Sequence, residues 1–379
     1  MVARTGNRGR ITKSLGSADY RWAYCTNDQG GRTADDPTIR EKTMNLKSKL
    51  LGAVAGVAAL AATHAQAGSH LDEITVAYFL EWPMPFQYAK VNGDYEEAMG
   101  VKINWVSFDT GTAMSAAMAS GDVQISVSQG VPPFVVAASA GQDIQIVDVA
   151  VSYSDNDNCV VKSDLEIDKM SAGELAGKKV AVPLGTAAHY GFLSQMNYFG
   201  VDLAGLEVVD MAPAEGAAAL AQGSVDMACG WGGALRRMKE SGNVLLTGAE
   251  KEELGILVFD VTTAPANFVA EESELLSKFL AVTGKANDDW NAGGDMMKDM
   301  LPVIAKDAGM DEEATAATMA TFVFPSVEDQ LGEKWLGGGA QSFMKGVADV
   351  FVNAGSIDAA LDSYDATVNT GPLTAASGM

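Results

Sequence analysis

Val101-Lys-Ile-Asn-Trp-Val-Ser-Phe108 is followed by Asp109-Thr110-Gly111-Thr112, by an Ala- and Met-rich run to Ser120 that Gly121 closes, and by Val123-Gln-Ile-Ser-Val127. The outer pieces are rich in β-formers and the middle one has the composition of a helix ended by glycine, so the stretch reads strand, helix, strand. The same alternation spreads outward. Upstream, Glu73-Ile-Thr-Val-Ala-Tyr-Phe-Leu80 reads as a strand and 86–99 as a helix; downstream, 132–140 reads as a helix and 144–151 as a strand. Such alternation predicts an α/β protein with mostly parallel sheets.

Residues 152–158 are polar and read as a crossing, after which the alternation restarts. Strands are predicted at 159–162, 179–183, 206–211, 225–229, 244–247 and 256–261, helices at 188–199 and 215–222, and a return strand at Phe268-Val-Ala270. From Glu272 onward the pattern is helical, with Leu275, Phe279, Val282, Met296, Met300 and Val303 at helical spacings that mark core faces. The expected organisation is a first lobe over 74–152, a second over 153–265, and a return to the first lobe with C-terminal helices over 266–379. No repeat of 20–50 residues supports a solenoid or propeller.

The N-terminal part has a different character. Met44-Asn-Leu-Lys47-Ser-Lys49 precedes an apolar run from Leu50 to Thr63 that ends in Ala65-Gln66-Ala67. A short basic segment, an apolar core too short to span a bilayer and a small-x-small exit describe a cleavable export signal, with cleavage expected after Ala67 and a periplasmic destination. Residues 1–43 show neither apolar periodicity nor a second signal and read as an unstructured upstream extension. Removing residues 1–67 takes away 10 of the 26 Lys/Arg and 5 of the 49 Asp/Glu, leaving a net charge of −28. So acidic a surface repels nucleic acid and anionic lipid. Cys159 and Cys229 remain; in an oxidising compartment they are either bridged or two buried thiols.

Recognised catalytic patterns are missing. The export-surviving histidines, His70 and His189, belong to no His-Glu-x-x-His pair, the cysteines form no Cys-x-x-Cys unit, and there is no nucleophile elbow, phosphate loop or dinucleotide fingerprint. The sequence therefore points to a binding protein with no cofactor or metal. Five polar turns stand at strand ends, where open α/β sheets bind ligands and helix N-termini offer free amides. They are Glu81-Trp82-Pro83, Asp109 to Thr112, Ser128-Gln129-Gly130, Gly185 to Tyr190, and Gly230-Trp231-Gly232-Gly233. Taken singly, each is also ordinary turn chemistry.

Several motifs carry a family resemblance. Phe108-Asp-Thr-Gly-Thr through Met118-Ala-Ser-Gly-Asp-Val-Gln-Ile125, Lys178-Lys-Val-Ala-Val-Pro183 with Thr186-Ala-Ala-His189-Tyr190, and Gly223-Ser-Val-Asp226 leading to Trp231 resemble the taurine-binding proteins of ABC importers, within the wider nitrate/sulfonate/taurine group. The resemblance implies a type II periplasmic-binding fold: two Rossmann-like lobes with a hinge, closing on the solute, plus C-terminal helices. It implies a monomer that delivers taurine or a similar zwitterion to an inner-membrane permease. Thr110, Gly111, Gln129, Thr186, His189, Tyr190 and Trp231 would lie along the cleft, with Asn156 from the crossing, and Asp260 would match an acidic position that holds the ligand's ammonium. Glu81 and Asp260 are the carboxylates expected at the cation, and Trp82 and Trp231 its aromatic walls, a cation–π contact of about 0.5–2 kcal/mol.

The chain departs from the resemblance in three places. Asp155-Asn156-Asp157-Asn158 stands where relatives have a plainer crossing segment, Glu81-Trp82-Pro83-Met84-Pro85 is richer in charge and aromatic surface than the resemblance requires, and Arg236 and Arg237, the only arginines after residue 67, lie outside the candidate turns. An acidic cluster without a cationic clamp shifts the ligand toward a more cationic compound, such as a quaternary ammonium or pyrimidine compound. A thiamine-pyrimidine-synthase-like enzyme is a further alternative, opposed by export and by the lack of a cysteine-rich cluster.

Overall fold

The computed structural model describes residues 71–153 and 155–379. The expected extension and export signal lie outside the described residues. In chain order the strands are β1 (Glu73–Tyr78), β2 (Lys102–Ser107), β3 (Ile125–Gly130), β4 (Ile144–Tyr153), β5 (Asp157–Lys162) and β6 (Lys179–Val182). They continue as β7 (Glu207–Asp210), β8 (Met227–Trp231), β9 (Gly242–Val244), β10 (Phe259–Pro265) and β11 (Phe322–Val323).

They form two sheets, a six-stranded one in the order β11-β4-β10-β3-β1-β2 and a five-stranded one in the order β7-β6-β8-β5-β9. The parallel core of the first is β2, β1 and β3, joined by helical crossovers, and that of the second is β7, β6 and β8. The 101–127 stretch supplies β2, the helix Gly111–Ser120 and β3 of the first sheet. β3 is buried at every position, as a strand covered on both faces must be.

Four expectations are corrected. The sheets are mixed: β10 runs antiparallel to both β3 and β4, and β5 antiparallel to β8 and β9. The segment around 256–261 does not complete the second sheet. Its strand, Phe259–Pro265, pairs with β3 and β4 in the first sheet, a central position in which Phe259 to Ala264 are all buried. The predicted return strand at 268–270 is helical, part of Ala266–Glu271. The single helix predicted over 86–99 is two, Phe86–Asn92 and Asp94–Met99, broken where Gly93 takes φ 80°.

C-terminal to β10 the chain is helical apart from β11, with helices including Ser273–Asn291, Gly294–Ala308 and Gly339–Asn353. Leu275, Phe279 and Met300 are buried as predicted, whereas Met296 is exposed. Cys159 and Cys229 face one another across the β5–β8 register and are bridged. Among the described residues no helix is long and apolar enough to cross a membrane.

Candidate functional site

A cleft of about 280 Å³, counting space open to solvent, lies where strand ends of the two sheets meet. From the first sheet come Phe79 and Trp82, just beyond β1, Gly130 at the end of β3, Tyr153 at the end of β4 and Asp260 in β10. From the second come Asp157, which opens β5, and Trp231, which ends β8 and lies directly opposite Asp157 in the strand register. Gly111, Pro133, Thr186 and Ala187 complete the lining, all at or near helix N-termini.

Asp260 is the hub of a buried network. Tyr153 donates its hydroxyl to Oδ1 at 2.6 Å, Ser128 donates to Oδ2 at 2.7 Å, and the Trp82 indole N–H donates to Ser128 Oγ at 2.9 Å. Ser128 reaches this bridging position with φ 61°, a left-handed backbone costly for a side chain other than glycine and found at built sites. Burial pushes the Asp260 carboxyl up to about 7; the two hydroxyls oppose that rise and the Asp157 charge adds to it. Burial, with Asp260 beside it, raises Tyr153 as well, which keeps it a donor.

Asp157 is 1 % exposed, and neither carboxylate oxygen has a hydrogen-bond partner among the described residues. Burial pushes it up to about 7, opposed by the Lys251 charge. Lys251, itself buried, donates to the Asp157 main-chain carbonyl and so fixes the strand while leaving the carboxylate unpaired. The two acidic residues lining this cleft repel each other when charged, and among the described residues no cation is bonded to either carboxylate; an exogenous cation would relieve both costs.

The aromatic walls are interlocked. Trp82 packs edge-on against Tyr153 with centroids 4.8 Å apart and on Phe322 at 4.7 Å, and Phe79 meets half-buried Trp231 at 5.9 Å. Two helix starts supply amides. Thr110 caps Gly111–Ser120 by accepting from Ala113 N, and Thr186 caps Ala187–Phe199 by accepting from His189 N. The first amides of each helix have no acceptor within it. Gly111 has no room for a side chain, since a Cβ would stand 2.7 Å from Pro133.

Of the sequence-predicted residues, Trp82, Gly111, Thr186, Trp231 and Asp260 line this cleft, and Glu81, Thr110, Gln129, Asn156, His189 and Tyr190 do not. Thr110 acts as a cap. Gln129 is wholly buried, donating to Gly111 O and Ser115 Oγ and accepting from Thr263, so it braces the Gly111 turn. His189 accepts from Gly185 N and stacks on Phe351, and burial lowers it to about 4, leaving a neutral turn support. Tyr190 packs edge-on against Phe343. Asn156 donates to Thr321 and its carbonyl accepts from Gly232 N.

The reading of Glu81 as a cation-binding carboxylate is corrected. Arg237 holds both of its oxygens, at 2.7 and 2.9 Å, and its main-chain carbonyl accepts from Gly233 N. A Cβ on Gly232 or Gly233 would meet Glu81 atoms at 2.5 or 2.9 Å, so this close approach of the β1 and β8 ends depends on the glycine pair. Phe79, Tyr153 and Asp157 are lining residues that turn motifs alone do not identify; the one signal for Asp157 was its acidic, atypical crossing segment. Among the described residues no group of three or more His, Cys, Asp or Glu is placed to hold a metal ion.

The chain is similar to the taurine-binding periplasmic protein of Escherichia coli (strain K12), 25% identical over 300 residues, 78% of this chain and 91% of that protein. By fold it is similar to the crystal structure of the periplasmic aliphatic sulphonate binding protein SsuA from Escherichia coli, with TM-score 0.61, 20% identity, and coverage of 77% of this chain and 95% of that one. The desulfurization enzyme DSZB has a similar fold, with TM-score 0.56, 14% identity, and coverage of 81% and 99%. These likenesses bear out the resemblance to taurine- and sulfonate-binding proteins and the periplasmic-binding α/β fold. The NMT1/THI5-like family model matches residues 83–292, and the chain belongs to that family.

Proposed function

We propose that this protein is an extracytoplasmic solute-binding protein that captures taurine or a close amino-sulfonate and delivers it to an ABC permease. The observation that carries the reading is one cleft holding two buried carboxylates, Asp157 and Asp260, among Phe79, Trp82, Tyr153 and Trp231, with helix N-termini at Gly111 and Ala187. A zwitterion needs both kinds of partner. Its ammonium goes to the carboxylates and aromatic faces, and its sulfonate accepts from first-turn amides, where the helix dipole favours negative charge. The similarity to a taurine-binding periplasmic protein supports the solute class and the location. Binding without turnover is part of the proposal, and the bridged cysteines leave no thiol nucleophile among the described residues.

A second reading, another amine such as a quaternary ammonium or pyrimidine compound, is favoured by one observation: among the described residues no Lys or Arg lines the cleft. Ligand-dependent melting and calorimetry against taurine, hypotaurine, betaine and choline separate the two. Saturable binding of taurine with a rise in melting temperature is expected. Silence with every sulfonate would overturn the first reading.

A further inference from the structure

Several buried side-chain oxygens and nitrogens lack hydrogen bonds among the described residues, but of these only the two Asp157 oxygens belong to the cleft lining. Asp260 already accepts one bond at each oxygen, from Tyr153 and Ser128. Lys251 reaches the Asp157 carbonyl and not its carboxylate, and Gly191 beside the carboxylate has no side chain to donate; even a Cβ there would stand 3.7 Å from Oδ1. A buried acceptor left bare is costly, and a site built this way rewards the ligand that supplies the missing donors.

Resting on the proposed amine-binding reading, we propose that Asp157 is the specificity-determining residue of the cleft and that it selects cations carrying at least two N–H groups. Aromatic walls alone accept a quaternary ammonium as readily as a primary one, because cation–π attraction needs charge and not hydrogen. Charge attraction to Asp260 is likewise common to both. What differs is Asp157: a primary ammonium donates to both its oxygens, whereas methyl groups pressed against it leave them unsatisfied. Sites that hydrogen-bond a ligand group in this way reject analogues lacking it by large factors, up to about 10⁴–10⁵.

The test is calorimetry on the full chain with taurine and its N-methyl, N,N-dimethyl and N,N,N-trimethyl derivatives, alongside β-alanine and its trimethyl derivative. Affinity is expected to fall along the methylation series, by at least about 100-fold from end to end. In Asp157→Asn, taurine binding weakens and the end-to-end ratio collapses to within about 5-fold, as expected once the carboxylate's second acceptor is gone. Trimethyltaurine binding as tightly as taurine in the wild type overturns the proposal. So does an Asp157→Asn variant that keeps the wild-type ratio, since pocket size alone would then explain it. The wild-type series needs no variant to fold. If all sulfonates are silent while β-alanine outcompetes its trimethyl form, the sulfonate reading falls and the N–H selection stands. Silence in both series sinks both.

Discussion

Asp157→Asn is expected to make the empty protein more stable at pH 8 while weakening ligand binding. In the fold, burial pushes the Asp157 carboxyl up to about 7 against the opposing Lys251 charge; unfolded, it returns to about 3.9. Between those values the folded chain holds a proton that the unfolded chain releases. The group's contribution to stability therefore falls as pH rises, by up to about 1.4 kcal/mol per pH unit, and levels off above about 7. Three units amount to about 4 kcal/mol. Asparagine cannot ionise but leaves an unpaired buried amide costing about 1–3 kcal/mol, so the net gain at pH 8 is about 1–3 kcal/mol. The charged and titratable groups facing Asp157 are Lys251, Asp260 and Tyr153. Removing the Asp157 charge also eases the ionisation of Asp260, which adds to the gain. Near pH 4 the acid is protonated in the fold and about half ionised in the unfolded chain, so the ionisation gain shrinks to about 0.4 kcal/mol, the amide cost remains, and the variant should be no more stable than wild type. Urea melts without ligand from pH 4 to 8 measure the gap. A variant no more stable than wild type at pH 8, or a gap that does not shrink toward pH 4, would refute the reasoning.

Asp260→Asn should weaken taurine binding by about 30- to 1000-fold, the range for removing one partner of a buried charge pair. Equal loss of melting temperature without ligand would instead make that carboxylate structural. Glu81→Gln should speed ligand release only about 2- to 5-fold, since the Glu81–Arg237 pair is more than a third exposed at both ends and such pairs contribute little. Stopped-flow tryptophan fluorescence reads the rate, and a loss above 100-fold would return Glu81 to the ligand. Replacing both Cys159 and Cys229 by serine opens a link across 70 residues and should cost about 4 kcal/mol in a urea melt, on chain-entropy grounds; an unchanged midpoint counts against this. Association of a net cation with so acidic a protein should slow markedly between 20 and 200 mM salt, whereas a zwitterion's rate should barely change. The salt dependence of kon thus separates a net cation such as choline from a zwitterion such as taurine without a mutation.

The parallel cores of both sheets were legible because each strand–helix–strand unit carries its own punctuation: Thr110 as cap and Gly121 as stop for one helix, Thr186 and Gly200 for another. β10 was not assigned to its sheet by pattern. Phe-Asp-Val-Thr-Thr-Ala is a plausible strand anywhere, and only long-range pairing with Gly130 and Val151 places it in the first sheet. The turn motifs led to both helix starts at the cleft, yet a turn motif does not say which of its side chains turns inward. Thus Thr186 and Ala187 line the cleft while His189, three residues beyond Thr186, turns back to hold Gly185.

The exchange of Glu81 for Asp157 follows from the same limit. Both are acidic residues at strand ends, Glu81 just beyond β1 and Asp157 at the start of β5, and the sequence ranks Glu81 higher because it follows a strand and precedes Trp82. Arg237 decides the matter. Its guanidinium lies two helical turns from Trp231, 156 residues from Glu81 in sequence, and it neutralises Glu81 outside the cleft. Asp157 has a nearby cation too, but Lys251 is committed to a main-chain carbonyl. One carboxylate is therefore satisfied by the fold and the other is left without a hydrogen-bond partner among the described residues, as the proposed ammonium site requires. Which acid stays unpaired is set by where the neighbouring cation's hydrogens point, a property of tertiary structure that neither spacing nor charge count contains.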